Sequence, residues 1–298
     1  MKPITRYILL GLVLLLVIVL SILFFSRNNR HLSFDGEQAL RDVETQMAFG
    51  PRTAGSEAHE QVIAWLEKSL RDAGWQTEVQ QGQLMGQTIK NVIARRSNDK
   101  PRIILVAHYD SRLYADNDPN PNNQTKPVPG ANDGASGVAV LLELARILPS
   151  DSVTTELVFV DAEDNGRIAG WDWILGSRYF VSTLESKPEA VVVVDMIGDR
   201  DLNIYKEINS DPAISEQIWN VANNLGFSKE FINVDKHRIL DDHIPFLEAG
   251  IPSVDIIDIE YPYWHTTMDT LDKVSAESLD AVGETLLQWL LDYPSGKQ

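Results

Sequence analysis

The 298-residue chain contains no cysteine, which excludes disulfide bonds and thiolate metal ligands. Any bound metal must therefore be held by histidine and carboxylate side chains. Basic residues are also scarce, since 26 Lys and Arg stand against 43 Asp and Glu and give a net charge of -17. Nucleic-acid binding needs a clustered basic face, so this balance argues against nucleic acid as a partner. The hydrophobic fraction of 44% is sufficient for one large buried core.

Long apolar runs are few, and the longest occupies residues 7–25, interrupted only by Gly11 and Ser21. A helix needs ~20 apolar residues to span a bilayer, and this run meets that length. A cleavable signal peptide is the alternative, but no convincing small-x-small cleavage site follows the run. We therefore predict a membrane-anchored protein with an uncleaved, single-pass N-terminal transmembrane helix. Residues 1–34 would hold the tail, anchor and linker, and residues 35–298 an extracytoplasmic catalytic domain.

Hydrophobic periodicity and capping residues predict alternating helices and strands in the remaining chain. The predicted helices are 35–47, 56–73, 138–148, 170–184, 211–225 and 276–291. The predicted strands are 75–81, 89–95, 102–107, 157–160, 190–194, 202–205 and 253–257. Residues 114–130 are rich in Asn, Asp and Pro and are predicted to form a loop. That loop is longer than usual connections, which favours a role in covering a site.

Three of the predicted strands are continuous apolar runs that end in polar side chains. The strand-end residues are His108 and Asp110, then Asp161, Glu163 and Asp164, and finally Asp195. Open α/β sheets place their sites at the carboxyl edge of the strands. We therefore expect these side chains to converge on one cleft.

A catalytic zinc site needs about three protein ligands and one open position. Asp133, Asp164 and His265 are the smallest such set, and Glu163 would lie beside the metal and move protons. His108 and Asp195 would complete a second metal site or remain hydrogen-bonded without one. Taken singly, Asp133 also fits a helix cap and His265 a buried core histidine. The combination favours a metal site.

From residues 52–56 to the last helix, the chain resembles the zinc-dependent aminopeptidases of peptidase family 28 and their relatives, the animal-type glutaminyl cyclases. The shared motifs are His108-Tyr109-Asp110-Ser111, Asn132-Asp133-Gly134-Ala135-Ser136-Gly137, the Glu163-Asp164 pair, Asp195-Met196-Ile197-Gly198 and His265. The resemblance implies a three-layer α/β fold in which helices flank a mixed, mostly parallel central sheet.

The cyclase branch is favoured because Asp241-Asp242-His243-Ile244-Pro245-Phe246 and the Trp264-His265 pair are similar to its motifs. This resemblance implies one Zn²⁺ held by Asp133, Asp164 and His265, and a Glu163 proton shuttle. It further implies a carboxylate network of Asp195 with Asp241. Trp264 and Trp171 are expected to wall the pocket, and the N-termini of peptides or proteins are the expected substrates.

Two other functions use the same residues. A family 28 aminopeptidase would hold two zinc ions bridged by Asp133, with His108 and Asp195 on the second ion and Glu163 as the base. A non-catalytic, membrane-anchored binding module is the remaining alternative. The complete set of ligands argues against that module, and nothing in the sequence indicates an oligomeric state.

Overall fold

The computed structural model describes residues 32–294. The predicted membrane anchor at residues 7–25 lies outside this range and stays a prediction. Within residues 32–294, no helix combines the length and the apolar character needed to cross a membrane.

A six-stranded sheet organises residues 34–294 and has the strand order β1-β2-β4-β3-β5-β8. The strands are β1 (Gln76–Leu84), β2 (Gln87–Arg95), β3 (Ile103–His108), β4 (Thr155–Val160), β5 (Ala190–Asp195) and β8 (Ser253–Ile257). Strands β4, β3, β5 and β8 run parallel, whereas β2 is antiparallel to β4 and β1 is antiparallel to β2. The predicted mixed, mostly parallel sheet is confirmed.

The central strands are buried on both faces, which is why their sequences are continuous apolar runs rather than alternating ones. Every residue of β3, β4 and β5 is buried. Successive side chains of a strand point to opposite faces, so Leu105 and Val106 join separate hydrophobic clusters. The Val106 cluster includes Phe180 and Phe246, whose ring centroids lie 6.0 Å apart. The sheet therefore lies between two layers of helices.

The helices are α1 (Gly36–Phe49), α2 (Glu57–Asp72), α3 (Ala135–Ile147), α4 (Leu175–Ser182), α5 (Pro212–Leu225), α6 (Ile244–Glu248) and α7 (Ala276–Asp292). Side chains cap several helix starts by accepting backbone N–H groups of the first turn. Ser56 accepts from the His59 amide, and Asp211 accepts from the amides of Ala213 and Ile214. Each such cap contributes about 1 kcal/mol of stability.

Three segments differ from the sequence prediction. The short helix α6 was not predicted. The helix expected over residues 170–184 begins only at Leu175, because the preceding residues form turns and Trp173 pairs with Asp164 as an isolated bridge. Strand β7 (Phe231–Asp235) was not predicted, and it pairs with β6 (Ile204–Lys206) in a separate two-stranded sheet. The last three residues of β7 are exposed, so no pattern of buried apolar residues marks it as a strand.

Candidate metal centre

The predicted site residues meet at the carboxyl ends of the parallel strands. His108 and Asp195 are the last residues of β3 and β5. Asp164 follows β4, Asp133 precedes α3, and His265 follows β8. Because these strands are parallel neighbours, residues far apart in sequence reach the same edge of the sheet.

Asp133, Asp164 and His265 form the first candidate metal cluster, with one potential ligand atom from each lying within 4.8 Å of the others. His265 Nε2 is 2.7 Å from Asp164 Oδ1 and 3.8 Å from Asp133 Oδ2. All three side chains are buried, yet Asp133 Oδ2 and Asp164 Oδ2 have no hydrogen-bond partner within residues 32–294. Buried carboxylate oxygens without partners are costly, so the donor set fits a bound cation.

His108, Asp133 and Asp195 form a second candidate cluster that shares Asp133 with the first. His108 Nε2 lies 3.1 Å from Asp133 Oδ1 and 3.1 Å from Asp195 Oδ1. The arrangement therefore has ligands for one cation or for two cations bridged by Asp133.

Glu163 belongs to neither cluster, although it lines the same cavity. Burial and the neighbouring negative charge of Asp164 raise the pKa of Glu163 well above its usual range. Burial, with further repulsion from Asp241, raises the pKa of Asp195 to about 7. Carboxyl groups shifted in this way can hold a proton near neutral pH, as general acid–base catalysis requires.

Asp110 holds the two acidic residues at the end of β4 in place. Its carboxylate accepts hydrogen bonds from the Glu163 amide at 3.1 Å and the Asp164 amide at 3.4 Å. It also lies 3.4 Å from His108 Nδ1, on the opposite side of the ring from the candidate metal. Partners of this kind fix the orientation of metal ligands. Sequence reasoning placed Asp110 at the strand end but gave it no function.

Asp269 supports Asp133 in a similar way and was missed by sequence reasoning. Its carboxylate accepts from the Asn132 amide at 2.8 Å and the Asp133 amide at 3.2 Å, and the Tyr261 hydroxyl donates to it at 2.7 Å. Asp269 lies four residues after His265, and this spacing to a candidate ligand was the signal available in the sequence.

The loop at residues 114–130 packs against the turn that carries His265. The Asn117 amide donates to the His265 carbonyl at 3.1 Å, and the Thr267 amide donates to Asp118 at 2.9 Å. Asp116 Oδ1 lies 3.6 Å from His265 Nδ1. The loop therefore contacts the Nδ1 side of this histidine, while Nε2 faces the candidate metal cluster.

Glycine is required where α3 approaches β3. A Cβ on Gly134 would lie 2.4 Å from His108 Nε2 and 2.5 Å from the His108 carbonyl oxygen.

At Met196 and His265 the backbone adopts left-handed φ values of 47° and 57°. Such conformations cost about 1–3 kcal/mol each in non-glycine residues and cluster at functional sites.

Both candidate clusters open into a cavity of about 370 Å³. Trp264 and Trp173 line it, and their rings lie 3.9 Å and 5.9 Å from the His265 ring, measured between centroids. Asp241 also lines it, and its predicted network with Asp195 stays a prediction. The expectation for Trp171 needs correction, because this side chain packs with Ile89 and Leu175 outside the cavity lining. Trp173, two residues later, occupies the wall position.

Comparisons with known proteins agree with this geometry. The model of peptidase family M28 matches residues 91–290. The glutaminyl-peptide cyclotransferase of Gloydius blomhoffii is 27% identical, over 82% of this chain and 77% of its own. The solved glutaminyl cyclase of Tannerella forsythia is 36% identical, with a TM-score of 0.82 over 88% of this chain and 100% of that one. A Zn-dependent exopeptidase from Parabacteroides distasonis is 32% identical, with a TM-score of 0.82 over 87% and 99%.

Proposed function

This chain belongs to peptidase family M28, and from that premise we propose that it is a zinc-dependent glutaminyl-peptide cyclotransferase. The reaction converts an N-terminal glutamine to pyroglutamate and releases ammonia. The observation that carries the proposal is one cavity that combines a buried Asp133–Asp164–His265 cluster with Glu163, a carboxyl outside that cluster. Support also comes from the likeness to a solved glutaminyl cyclase along that protein's whole length.

Asp133, Asp164 and His265 would hold the Zn²⁺ ion. When bound, the ion supplies Lewis acidity that polarises the γ-carbonyl of the substrate glutamine. Because Asp133 and Asp164 line the same cavity as Glu163, a carbonyl bound at this cluster would share that cavity with the Glu163 side chain. Trp173 and Trp264 line the cavity and would limit the access of water to a bound substrate.

Glu163 carries the proton between the reacting groups. The substrate's α-amine nitrogen forms a bond to the γ-carbonyl carbon, and the bond from that carbon to the side-chain amide nitrogen breaks. Glu163 accepts a proton from the attacking amine and returns it to the departing nitrogen, which leaves as ammonia. Its raised pKa suits both transfers, because the carboxyl is neither a strong acid nor a permanent anion.

Asp195 and Asp241 would assist the proton transfer that Glu163 performs. Both line the cavity, and the negative charge of Asp241 is among the groups that raise the pKa of Glu163 and of Asp195. Interacting acids in a buried site share protons, since adjacent ionised carboxylates repel one another strongly. The negative charge of Asp241 therefore favours the protonated form of Glu163 that ammonia departure needs.

A di-zinc aminopeptidase is the second candidate function. The observation in its favour is the complete second cluster of His108, Asp133 and Asp195, which gives the chain ligands for a bridged pair of ions. In that reaction Glu163 would accept a proton from the attacking water rather than from the substrate's amine.

Purified protein incubated with zinc, a glutaminyl peptide and an aminoacyl reporter separates the two candidates. We expect ammonia and a pyroglutamyl peptide, with no free amino acid from either substrate. Release of the N-terminal amino acid without ammonia would instead identify the aminopeptidase. If neither substrate reacts after zinc is restored, both proposals are overturned.

A further inference from the structure

Arg167 is a cation on the wall of the cavity, and no acid in the described part of the chain forms an ion pair with it. Within residues 32–294 its side chain forms no hydrogen bond and no ion pair. Within the same described range, Arg238, also on the wall, has the neutral Asn209 side chain as its one hydrogen-bond partner, with 2.8 Å between Nη1 and Oδ1. In a chain with a net charge of -17, arginines without an acidic partner are unexpected. An arginine that lines a cavity and has no acidic partner can bind an anionic group of a ligand.

The position of Arg167 is fixed relative to the metal cluster. It follows Asp164 by three residues, so its Cα lies within about 11 Å of the Asp164 Cα. The buried Arg112 side chain donates to the carbonyls of Asp164 at 2.8 Å and Gly166 at 3.1 Å. A Cβ on Gly166 would lie 2.0 Å from the Trp173 ring, so the turn is pressed between Arg112 and Trp173.

The backbone at Arg167 supports a functional placement. Its φ of 63° is in the left-handed region, which non-glycine residues adopt at a cost of about 1–3 kcal/mol. The residue is exposed, so packing of its own side chain does not compensate for this cost. Because the turn at Gly166 packs between Arg112 and Trp173, it keeps the charge of Arg167 at the cavity wall.

We propose that Arg167 binds a carboxylate of the substrate just beyond its N-terminal glutamine. This inference rests on the proposed cyclase function and names the peptides that the site prefers. The glutamine side chain would lie against the Asp133–Asp164–His265 cluster, and a cavity of about 370 Å³ leaves room for the following residue. That carboxylate is either an acidic side chain at the second position or the terminal carboxylate of a glutaminyl dipeptide.

Electrostatics explain why such a contact discriminates between peptides. The remainder of the site is rich in carboxylates, and the acidic protein repels anionic peptides at long range. A local arginine partner offsets that repulsion for a carboxylate that lies beside Arg167. Because Arg167 is exposed, the gain is that of a partly screened ion pair and weakens with salt.

The test compares steady-state kinetics of four substrates. Two are amidated tetrapeptides with glutamate or glutamine at the second position, and two are the glutaminyl-alanine dipeptide with a free or an amidated terminus. The enzymes are the full-length protein, Arg167→Gln, Arg167→Lys and the control Arg71→Gln. Arg71 lies on α2 outside the cavity lining and pairs with Glu67, so its substitution changes the net charge equally.

We expect the unaltered protein to favour the glutamate tetrapeptide, the free dipeptide or both by about fivefold in kcat/KM, the scale of an exposed ion pair. Arg167→Gln should abolish that preference through KM, and Arg167→Lys should restore part of it. Arg71→Gln should leave it intact. Preference within the tetrapeptides identifies the side chain, and preference within the dipeptides identifies the terminus.

Equal kcat/KM for both members of each pair in the unaltered protein would overturn the inference while leaving the cyclase function standing. A preference that persists in Arg167→Gln would overturn it as well. Failure of every peptide to cyclise would overturn the proposed function itself, and the inference with it.

Discussion

The substitution Glu163→Gln tests the separation of proton transfer from metal binding. Glu163 is 7% exposed and lies outside both metal clusters, so an isosteric amide preserves the packing and the ligands. The hydrogen bond from its backbone amide to Asp110 does not depend on the side chain. Loss of a general acid–base group lowers rates by about 10²–10⁴-fold, or about 3–5 kcal/mol of transition-state stabilisation.

Ammonia release with a glutaminyl peptide and zinc content by atomic absorption are the two readouts. We expect Glu163→Gln to keep its zinc and lose at least 100-fold in kcat, a drop at the lower end of that range. Asp164→Asn is the contrasting variant, and it should lose zinc because one ligand carboxylate becomes neutral. A Glu163→Gln protein with near-normal kcat, or one that loses zinc as Asp164→Asn does, would refute separate functions for these adjacent acids.

Three further predictions follow from the same geometry. Asp110→Asn should lower both zinc affinity and kcat by about 10–100-fold, because it weakens the bonds that orient Glu163 and Asp164, and zinc titration with kinetics checks this. Gly134→Ala should lower zinc affinity, because its Cβ would collide with the His108 side chain and carbonyl and displace the adjacent ligand Asp133, and calorimetric titration measures the loss. In metal-free protein, Asp195 has a folded pKa of about 7 against 3.8 unfolded, so the folded state binds more protons and stability falls as pH rises through that window. Thermal melts of metal-free protein across that window should show this fall, and Asp195→Asn should reduce it.

Three of the four parallel strands, β3, β4 and β5, could be predicted from the sequence because each carries an unbroken apolar run. The prediction for 253–257 matches β8 (Ser253–Ile257), and the predicted strand at 157–160 lies within β4. Strand β7 was missed because four of its five residues are not buried and its pairing comes from tertiary structure alone. The helix predicted from residue 170 starts late because Trp173 is held beside Asp164. Local patterns do not report such long-range pairing.

The candidate site also has residues that could be predicted from the sequence and residues that could not. Asp133, Asp164 and His265 could be proposed as ligands because each follows a predicted strand, and the shared sheet edge brings them together. The supporting acids Asp110 and Asp269 accept hydrogen bonds from backbone amides of distant segments, and the sequence alone does not reveal these long-range partners. Trp171 rather than Trp173 was predicted to wall the pocket, and both lie where turns replace the start of the predicted helix.

Incubation of a glutaminyl peptide with the zinc-loaded protein in water enriched in heavy oxygen tests the central claim most directly. Cyclisation uses the substrate's own amine, so mass spectrometry should show a peptide that has lost one ammonia and gained no heavy oxygen. Free glutamine carrying heavy oxygen in its new carboxylate, together with a peptide shortened by one residue, would contradict the cyclase account.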